Sequence, residues 1–427
     1  MKQLTRTALT AVLALSLASC SKPSSASSSA AESAYVPEGP VTVTVWNGIY
    51  DSGLKKILGQ AADAFNSTNG MKITVVLEDV TDYSGLSAAV HAEGDGPDLF
   101  FATPAQAAEY VSSDPALTIL GDVEAYADDM KEILDRQAYN DAKGFRDGIM
   151  HMVPMTTSGS VLYYNRTMFA EAGYENGPAT WDDLMDAASK IHDAYGISGF
   201  EITDRDASLL METLLIQDGA AFVNTETLTS DIGSHSEALR FVLDGIRQGQ
   251  IAQTAETGFT SGDLNEKKTA SFLGSIADRV WLELGDDLGI AVMPQTENGT
   301  DFTPSYQTGA VLLKSTPDEE WAAVQFARYL LSAEVSAPFC VAAKAVSPVT
   351  KIRMEPTYFD VNDRDPAILK WTNDLARAKA LPACGGLDTI AYQLNHMLEE
   401  AVNGKDLQEA AAFTEANINY ILTEYNR

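Results

Sequence analysis

This sequence lacks the common motifs of enzyme active sites. It contains no HExxH, GxSxG, phosphate-loop or CxxC motif, and its five histidines are scattered without the spacing of metal ligands. Carboxylates gather at Asp360, Asp363 and Asp365, but the glycine and distal glutamate of a calcium loop do not follow in register. We therefore predict no metal, no cofactor and no enzymatic activity. The alternative left open is that two of the 60 acidic residues meet in space, as glycoside hydrolysis would require.

Aromatic and small polar residues are the better candidates for function. The aromatic candidates are Trp46, Tyr83, Phe101, Trp281 and Tyr306. Flat rings pack against the CH faces of a sugar, and Asn, Ser and Thr side chains pair with hydroxyl groups. These residue types favour binding over catalysis.

The predicted elements place several of these residues at one edge of a sheet. Residues 41–46 and 72–77 alternate as strands, residues 54–65 repeat at helical spacing, and residues 99–102 form another apolar run. Alternating strands and helices indicate a parallel α/β sheet, whose ligands lie beyond the carboxyl ends of the strands. The residues at those ends are Trp46, Asn47, Phe101 and Thr103.

A second informative stretch begins near Gly144. Two predicted strands, 149–155 and 161–164, are separated by the small polar insert Thr156 to Ser160. Such an insert suits a place where the backbone crosses between lobes beside a polar ligand. A β-bulge or hairpin in an ordinary sheet is the alternative interpretation.

Motifs in a fixed order follow that stretch: Leu162-Tyr-Tyr-Asn165, Phe169-x-x-Ala-Gly173, and Pro178-x-Thr-Trp-Asp-Asp-Leu184. This order resembles the extracellular solute-binding proteins of carbohydrate ABC importers, and matching pieces extend from about residue 41 to the C-terminus. The resemblance implies an α/β fold of the class II periplasmic-binding-protein type, with two lobes, three crossing segments and a ligand cleft. The implied lobes are 41–157 plus 309–346, and 158–308 plus 347–427.

The resemblance also implies a function. The chain would be a monomeric substrate-binding component that closes on a mono- or oligosaccharide and delivers it to an ABC permease. The expected ligand contacts are Trp46, Asn47, Phe101, Thr103, Ser158, Ser275, Trp281, Tyr306 and Gly309. Ala391 stands where maltose-binding relatives have an aromatic residue and glycerol-phosphate-binding relatives an arginine, which leaves the sugar undetermined. A binder of glycerol phosphate or another non-sugar solute, and an exported carbohydrate-active enzyme, remain alternatives.

The N-terminal sequence predicts that the protein is exported from the cytosol. Lys2 and Arg6 precede a short apolar run, and Leu17-Ala-Ser-Cys20 resembles the lipobox of bacterial lipoproteins. We expect a signal peptide over 1–19, lipidation of Cys20, and a Ser/Ala-rich tether over 20–40. The protein would then be held at the outer face of the cell membrane by its lipid anchor alone.

Charge and cysteine content complete the sequence evidence. Sixty acidic against 29 basic residues give a formal net charge of −31, which repels nucleic-acid phosphates and argues against a nucleic-acid partner. Besides Cys20, the chain has only Cys340 and Cys384. Two cysteines outside the cytosol could pair or stay as separate thiols, and the sequence leaves both possibilities open.

Overall fold

The computed structural model describes residues 35–91, 96–111, 119–254, 260–362 and 364–426, without the side chains of residues 204 and 205. The predicted signal peptide, the lipid site Cys20 and most of the tether lie outside these residues. From Val36 onward the chain forms the unit described below. Among the helices described, none has both the length and the apolar character needed to cross a bilayer.

Strands and helices alternate near the N-terminus, as the sequence predicts. The strands in the described residues are β1 (Val41–Asn47), β2 (Ile73–Asp79), β3 (Leu99–Ala102), β4 (Met152–Asn165), β5 (Phe200–Thr203), β6 (Ile251–Thr254), β7 (Ser271–Ser275), β8 (Leu288–Val292), β9 (Thr303–Leu312) and β10 (Ala378–Ala380).

The α-helices cover both faces of these strands and most of the C-terminal half. They are α1 (Ser52–Thr68), α2 (Leu86–His91), α3 (Pro104–Tyr110), α4 (Met130–Ile133), α5 (Arg136–Ala142), α6 (Arg166–Glu171), α7 (Trp181–Tyr195), α8 (Asp204–Gln217), α9 (Arg240–Arg247), α10 (Thr260–Asn265), α11 (Pro317–Leu330), α12 (Ala333–Ala343), α13 (Pro356–Asn362), α14 (Pro366–Asn373), α15 (Leu387–Val402) and α16 (Leu407–Tyr425).

The strands form a mixed sheet in the order β2-β1-β3-β9-β4-β7-β5-β6, with β10 beside β9 and β8 beside β4. β1 is parallel to β2 and β3, whereas β3 is antiparallel to β9. The parallel arrangement of the first three strands brings their carboxyl ends to one edge, where a ligand site is expected.

The small polar insert between residues 156 and 160 does not break the strand, which corrects the prediction of two separate runs. β4 is continuous: its first half pairs with β9 and its second half with β7 and β8. The insert stays extended because Thr157 exchanges backbone hydrogen bonds of 2.8 Å with Val346, while Ser158 lies opposite Tyr306 on β9. Long-range pairing therefore overrides the local tendency of small polar residues to form a loop.

The buried apolar residues form three cores. The first is built mainly on β1–β3, the start of β4, the end of β9, and helices α11 and α12. The second lies among α7, α8, α9, α15 and α16, and the third between the end of β4, β7, β8 and α14. β4 contributes Met155 to the first core, Leu162 to the second and Val161 to the third. The fold is the expected two-lobed α/β type, and β4 contributes to all three cores.

Local signals set several helix starts. The capping box of Thr180 and Asp183 begins α7, and the Thr316–Glu319 box with Pro317 begins α11. Trp181 is buried, and its Nε1 donates to Gln217 Oε1 at 2.7 Å. Trp181 therefore has a structural role in packing α7 against α8.

Candidate ligand-binding site

A cavity of about 250 Å³ opens at the carboxyl ends of β1 and β3. Residues from the loops after β1 and β2, from β3 and α3, and from β9 form its walls. The lining residues are Gly48, Ile49, Tyr50, Thr81, Asp82, Tyr83, Phe101, Ala102, Gln106, Tyr110 and Thr308. This is the edge at which α/β sheets bind ligands.

Tyr83 holds the walls of this cavity together. Its hydroxyl accepts hydrogen bonds from the backbone N–H of Gly48 at 2.8 Å and of Phe101 at 3.3 Å, and it donates to Trp46 O at 3.4 Å. A Cβ at Gly48 would lie only 2.8 Å from the Tyr83 ring. The ring is buried, and burial raises the pKa of its phenol. Tyr83 therefore joins the loop after β2, on which it lies, to the end of β1 and to β3.

Two aromatic residues in the lining were missed by the sequence reasoning. Tyr110, on the last turn of α3, packs edge-on against Tyr83 with ring centroids 5.3 Å apart. Tyr50 is 86% exposed, and its hydroxyl donates to Thr81 O at 2.7 Å. Tyr50 lies near the carboxyl end of β1, a position that many other residues share, whereas Tyr110 lies a whole short helix beyond the end of β3 and had no such signal.

Of the four candidates predicted at the strand ends, the structure places Phe101 in the cavity lining. Trp46 Nε1 donates to Glu78 at 3.1 Å, across the β1–β2 pair. Asn47 is buried and donates to Asp79 at 3.1 Å. Thr103 forms the capping box of α3 with Gln106, whose side chain also reaches the lining. Trp46, Asn47 and Thr103 thus position the loops and do not line this cavity.

The candidates on the crossing strands are neighbours in the sheet. Ser158 pairs in register with Tyr306, and Ser160 with Ser275. The Tyr306 hydroxyl lies 3.5 Å from Ser160 Oγ, while Ser275 caps the short 3₁₀ helix 276–281. Trp281, at the end of that helix, is 68% exposed. These residues form a polar strip with one open aromatic ring, separate from the cavity lining.

Gly309 has a structural reason to be glycine. A Cβ there would lie 2.3 Å from Met152 Cε and 2.5 Å from Val153 O on the neighbouring β4. Contacts this short are not tolerated by real Cβ atoms, so close strand packing demands the missing side chain.

Carboxylates surround the phenol of Tyr110. Burial is the largest cause that raises its pKa, followed by the charges of Asp388 and Asp82, and then Tyr50 and Glu109. Asp388 lies in the first turn of α15, and Glu109 Oε2 accepts from Gly386 N at 2.5 Å. Hydrogen bonds from Ser84 hold the pKa of Asp82 below its ordinary value. The N-terminus of α15 therefore lies beside α3 and close to the cavity.

Two other features bear on the choice of site. A larger cavity of about 610 Å³ lies around Trp181, Phe241 and Arg240, but its lining includes no residue from the ends of β1 or β3 and none of the predicted contacts. Within the described chain, no cluster of three or more His, Cys, Asp or Glu residues could hold a metal ion. We take the smaller cavity as the candidate site because of its place in the fold.

The structure does not form the disulfide that the sequence left open. Cys340 and Cys384 are both buried free thiols, one in the first core and the other in the second. The thiol of Cys340 donates to Met155 O at 3.4 Å. Burial raises the pKa of each thiol to about 12, so little of the reactive thiolate is present at neutral pH.

Comparison with known proteins agrees with this architecture. The family of bacterial extracellular solute-binding proteins matches residues 60–359. The chain belongs to this family.

Individual relatives are distant. A binding protein of Brucella abortus is 25% identical over 292 residues, covering 63% of this chain and 68% of that one. An arabinooligosaccharide-binding protein of Halalkalibacterium halodurans is 27% identical over 191 residues, 42% of each chain. The crystal structure of the cyclic α-maltosyl-1,6-maltose binding protein from Arthrobacter globiformis superposes with a TM-score of 0.74 at 21% identity, over 90% of this chain and 99% of that one.

Proposed function

We propose that this protein is the substrate-binding component of an ABC importer and that its ligand is a mono- or oligosaccharide. The observation that carries the proposal is the cavity at the carboxyl ends of β1 and β3, where Tyr50, Phe101 and Tyr110 supply aromatic surface. Aromatic rings with a few polar groups are typical of carbohydrate sites. Two of the similar proteins above are named for oligosaccharides that they bind.

The ligand would be bound by both lobes. Gln106 and Thr308 would donate to or accept from sugar hydroxyls on the cavity side. Trp281 and the polar strip of Ser158, Ser275 and Tyr306 would contact the ligand from the other lobe. A ligand that contacts both lobes binds the closed state more tightly and shifts the population toward it.

The lobe boundaries proposed from the sequence are 41–157 plus 309–346, and 158–308 plus 347–427. Shared strands at 157/158 and 308/309 support the first two boundaries. The third crossing is supported by the bridge between Thr157 and Val346, although Val349 and Ile352 beyond it pack in the first core. Backbone motion during closure would concentrate at these three crossings.

Attachment and delivery are part of the same proposal. Leu17-Ala-Ser-Cys20 supports lipidation at Cys20, which would hold the protein, as a monomer in this proposal, at the outer face of the membrane. The Ser/Ala-rich residues 20–40 would then serve as the tether from which the closed form docks on the permease.

The lining residues of the cavity give less support to the two alternatives, a carbohydrate-active enzyme and a binder of glycerol phosphate. Hydrolysis of a glycoside requires two carboxyl groups, and the lining contains one, Asp82. A phosphate ligand requires a cation, and among the described lining residues there is no Lys, Arg or His. Binding of a carbohydrate without turnover is therefore our proposal.

A panel of thermal-shift measurements tests the proposed binding of a carbohydrate. The purified chain would be heated with mono-, di- and oligosaccharides, and with glycerol 3-phosphate as the anionic control. A ligand of the native state raises the Tm in proportion to ln(1 + [L]/Kd). We expect at least one sugar to raise Tm and to remain intact afterwards by chromatography. A shift with glycerol 3-phosphate alone, or hydrolysis of the sugar, would contradict the proposal.

A further inference from the structure

Three buried polar atoms behind the crossing strands have no hydrogen-bond partner among the residues that the structure describes. They are Thr157 Oγ1 on β4, Gln307 Oε1 on β9 and Trp371 Nε1 on α14. The three residues are only 3%, 1% and 1% exposed. A buried polar atom without a partner costs free energy, and in native proteins most such atoms are paired with protein groups or with ordered water. These three atoms therefore need a partner.

The register of the sheet places two of the atoms side by side. Thr157 lies directly opposite Gln307 in the antiparallel β4–β9 pair, and the Cβ atoms of such opposite residues are about 5 Å apart. Because side chains alternate along a strand, Thr157 and Gln307 lie on the face opposite to that of Tyr306 and Thr308. Thr308 lines the candidate cavity, so the unpartnered atoms lie on the back of the sheet that carries it.

The third atom lies over the same face. A Cβ at Gly159, two residues after Thr157, would lie 2.3 Å from Trp371 Cη2 and 2.6 Å from its Cζ2, so the indole ring rests on β4. The indole nitrogen is two bonds from Cζ2 and therefore lies above this part of the strand. Gln307 Nε2 donates to Ala138 O on α5 at 2.9 Å. This bond fixes the orientation of the amide, so Oε1 is the end that still needs a donor.

The chemistry of the three atoms selects the molecule that can pair with them. The indole N–H of Trp371 needs an acceptor, the amide oxygen of Gln307 needs a donor, and the hydroxyl of Thr157 can act as either. The N–H is incompatible with a metal cation, and the amide oxygen is incompatible with an anion. Water both donates and accepts, and a buried water typically makes about three hydrogen bonds.

We propose that a buried water molecule binds between β4, β9 and α14 and bridges at least two of Thr157, Gln307 and Trp371. Thr157 also exchanges backbone hydrogen bonds of 2.8 Å with Val346, so the water would lie where the three proposed crossings meet. A water can exchange partners while the strands bend, whereas a direct bond between side chains would favour one geometry. The inference goes beyond the proposed function, because it holds whichever ligand the cavity binds.

A high-resolution crystal structure of the native protein, grown with bromide, tests the site directly. We expect density for a water about 2.7–3.2 Å from at least two of the three atoms, without anomalous signal from bromide. Bromide at this position would overturn the assignment to water. Direct pairing of the three groups with one another, or the absence of density between them, would overturn the site itself.

The isosteric variant Thr157→Val tests the same site in solution. If the hydroxyl binds a water, its removal should lower the Tm by about 1–3 °C. If the hydroxyl has no partner at all, its removal should raise the Tm, and the proposal is overturned. Thr213→Val is the matched control, because Thr213 is equally buried but its hydroxyl donates to Leu209 O at 2.8 Å within α8.

A double-mutant comparison shows whether the groups share one water. Trp371→Phe removes the N–H and keeps a ring over Gly159. Its effect on the Tm should be smaller in the Thr157→Val background than in the native protein, and unchanged in the Thr213→Val background. Equal effects in all three backgrounds would contradict a shared water. If Trp371→Phe does not fold, the crystal structure of the native protein still decides. Neither measurement uses a sugar, so failure of the proposed function would leave this inference standing.

Discussion

Glu109 Oε2 accepts a hydrogen bond of 2.5 Å from the backbone N–H of Gly386. The contact joins α3, whose Ala107 and Ala108 lie in the first core, to the start of α15, whose Ile390 lies in the second. A side chain on a helix that packs in the first core thus accepts a hydrogen bond from the N-cap residue of a 16-residue helix that packs in the second. The pair holds the start of α15 beside the end of α3.

Replacement of Glu109 by alanine should destabilise the protein. The substitution removes the acceptor and leaves Gly386 N–H without it, so we expect a loss of about 1 kcal/mol in the free energy of unfolding. Glu109→Gln should retain most of that stability, because its amide oxygen still accepts and burial already raises the pKa of the native carboxyl. Urea denaturation of both variants measures the difference. Equal stability of Glu109→Ala and the native chain would show that the contact is dispensable.

The folded protein should be more stable at mildly acidic than at alkaline pH. Burial raises the pKa of Asp98 to about 6, of Asp141 to about 7 and of Glu212 to about 8. Because these groups hold protons more tightly when folded, their stabilising contribution is complete below about pH 4 and is lost as the pH rises to 8. We expect the free energy of unfolding to fall by at least about 1 kcal/mol between pH 5 and pH 8.

Glu212→Gln provides the control for that pH dependence. General repulsion among 60 acidic residues acts in the same direction, so the slope alone does not identify the buried groups. Glu212→Gln should flatten the slope by about 1 kcal/mol over this range, whereas the exposed Glu226→Gln should not. Denaturation midpoints at several pH values give the comparison. Parallel curves for the two variants would contradict the assignment to buried carboxyls.

Gly309 should be required for stability. Gly309→Ala places a Cβ 2.3 Å from Met152 Cε and 2.5 Å from Val153 O, so the strands must separate. We expect a loss of about 1–3 kcal/mol. Gly59→Ala, in the middle of α1 with nothing within 4 Å, should instead stabilise by about 0.5–1 kcal/mol. Thermal unfolding of the pair tests this, and a Gly309→Ala protein as stable as Gly59→Ala would be inconsistent with the tight packing.

Trp281 should matter for binding more than for folding. Its side chain is 68% exposed, so Trp281→Ala should change the free energy of unfolding by less than about 0.5 kcal/mol. If it packs on the sugar in the closed form, the affinity should fall by roughly tenfold. Tyr420→Ala, at a residue that is 67% exposed on α16, is the matched control. Identical affinities for both variants would remove Trp281 from the site.

Cys340 and Cys384 should be unreactive in the native protein. Both thiols are buried, with the pKa of each raised to about 12, so little thiolate is present at neutral pH. Alkylation followed by peptide mass mapping should find neither modified in the native state and both modified in denaturant without a reductant. Protection of both cysteines in denaturant until a reductant is added would demonstrate a disulfide.

The sequence alone determined the features that depend on neighbouring residues. The alternation of Val41, Val43 and Val45, the helical spacing of Leu58, Ala61 and Phe65, and the capping boxes at Thr180 and Thr316 each depend on a short stretch of chain. The order of those elements indicated the α/β class, because consecutive strands and helices pack in few ways. The two-lobed type with three crossing segments was implied by the resemblance of the sequence motifs to a known family.

Only the tertiary structure decided which polar and aromatic side chains meet. Asn47, Thr103 and Gly309 carry the right residue types for a site, yet Asp79 on β2 engages the first, Gln106 engages the second, and a neighbouring strand packs against the third. Tyr110 and Asp388 are 278 positions apart, and no periodicity links them. Contacts of this kind arise from the packing of whole helices against strands, so the cavity and its charges became visible only when the chain was folded.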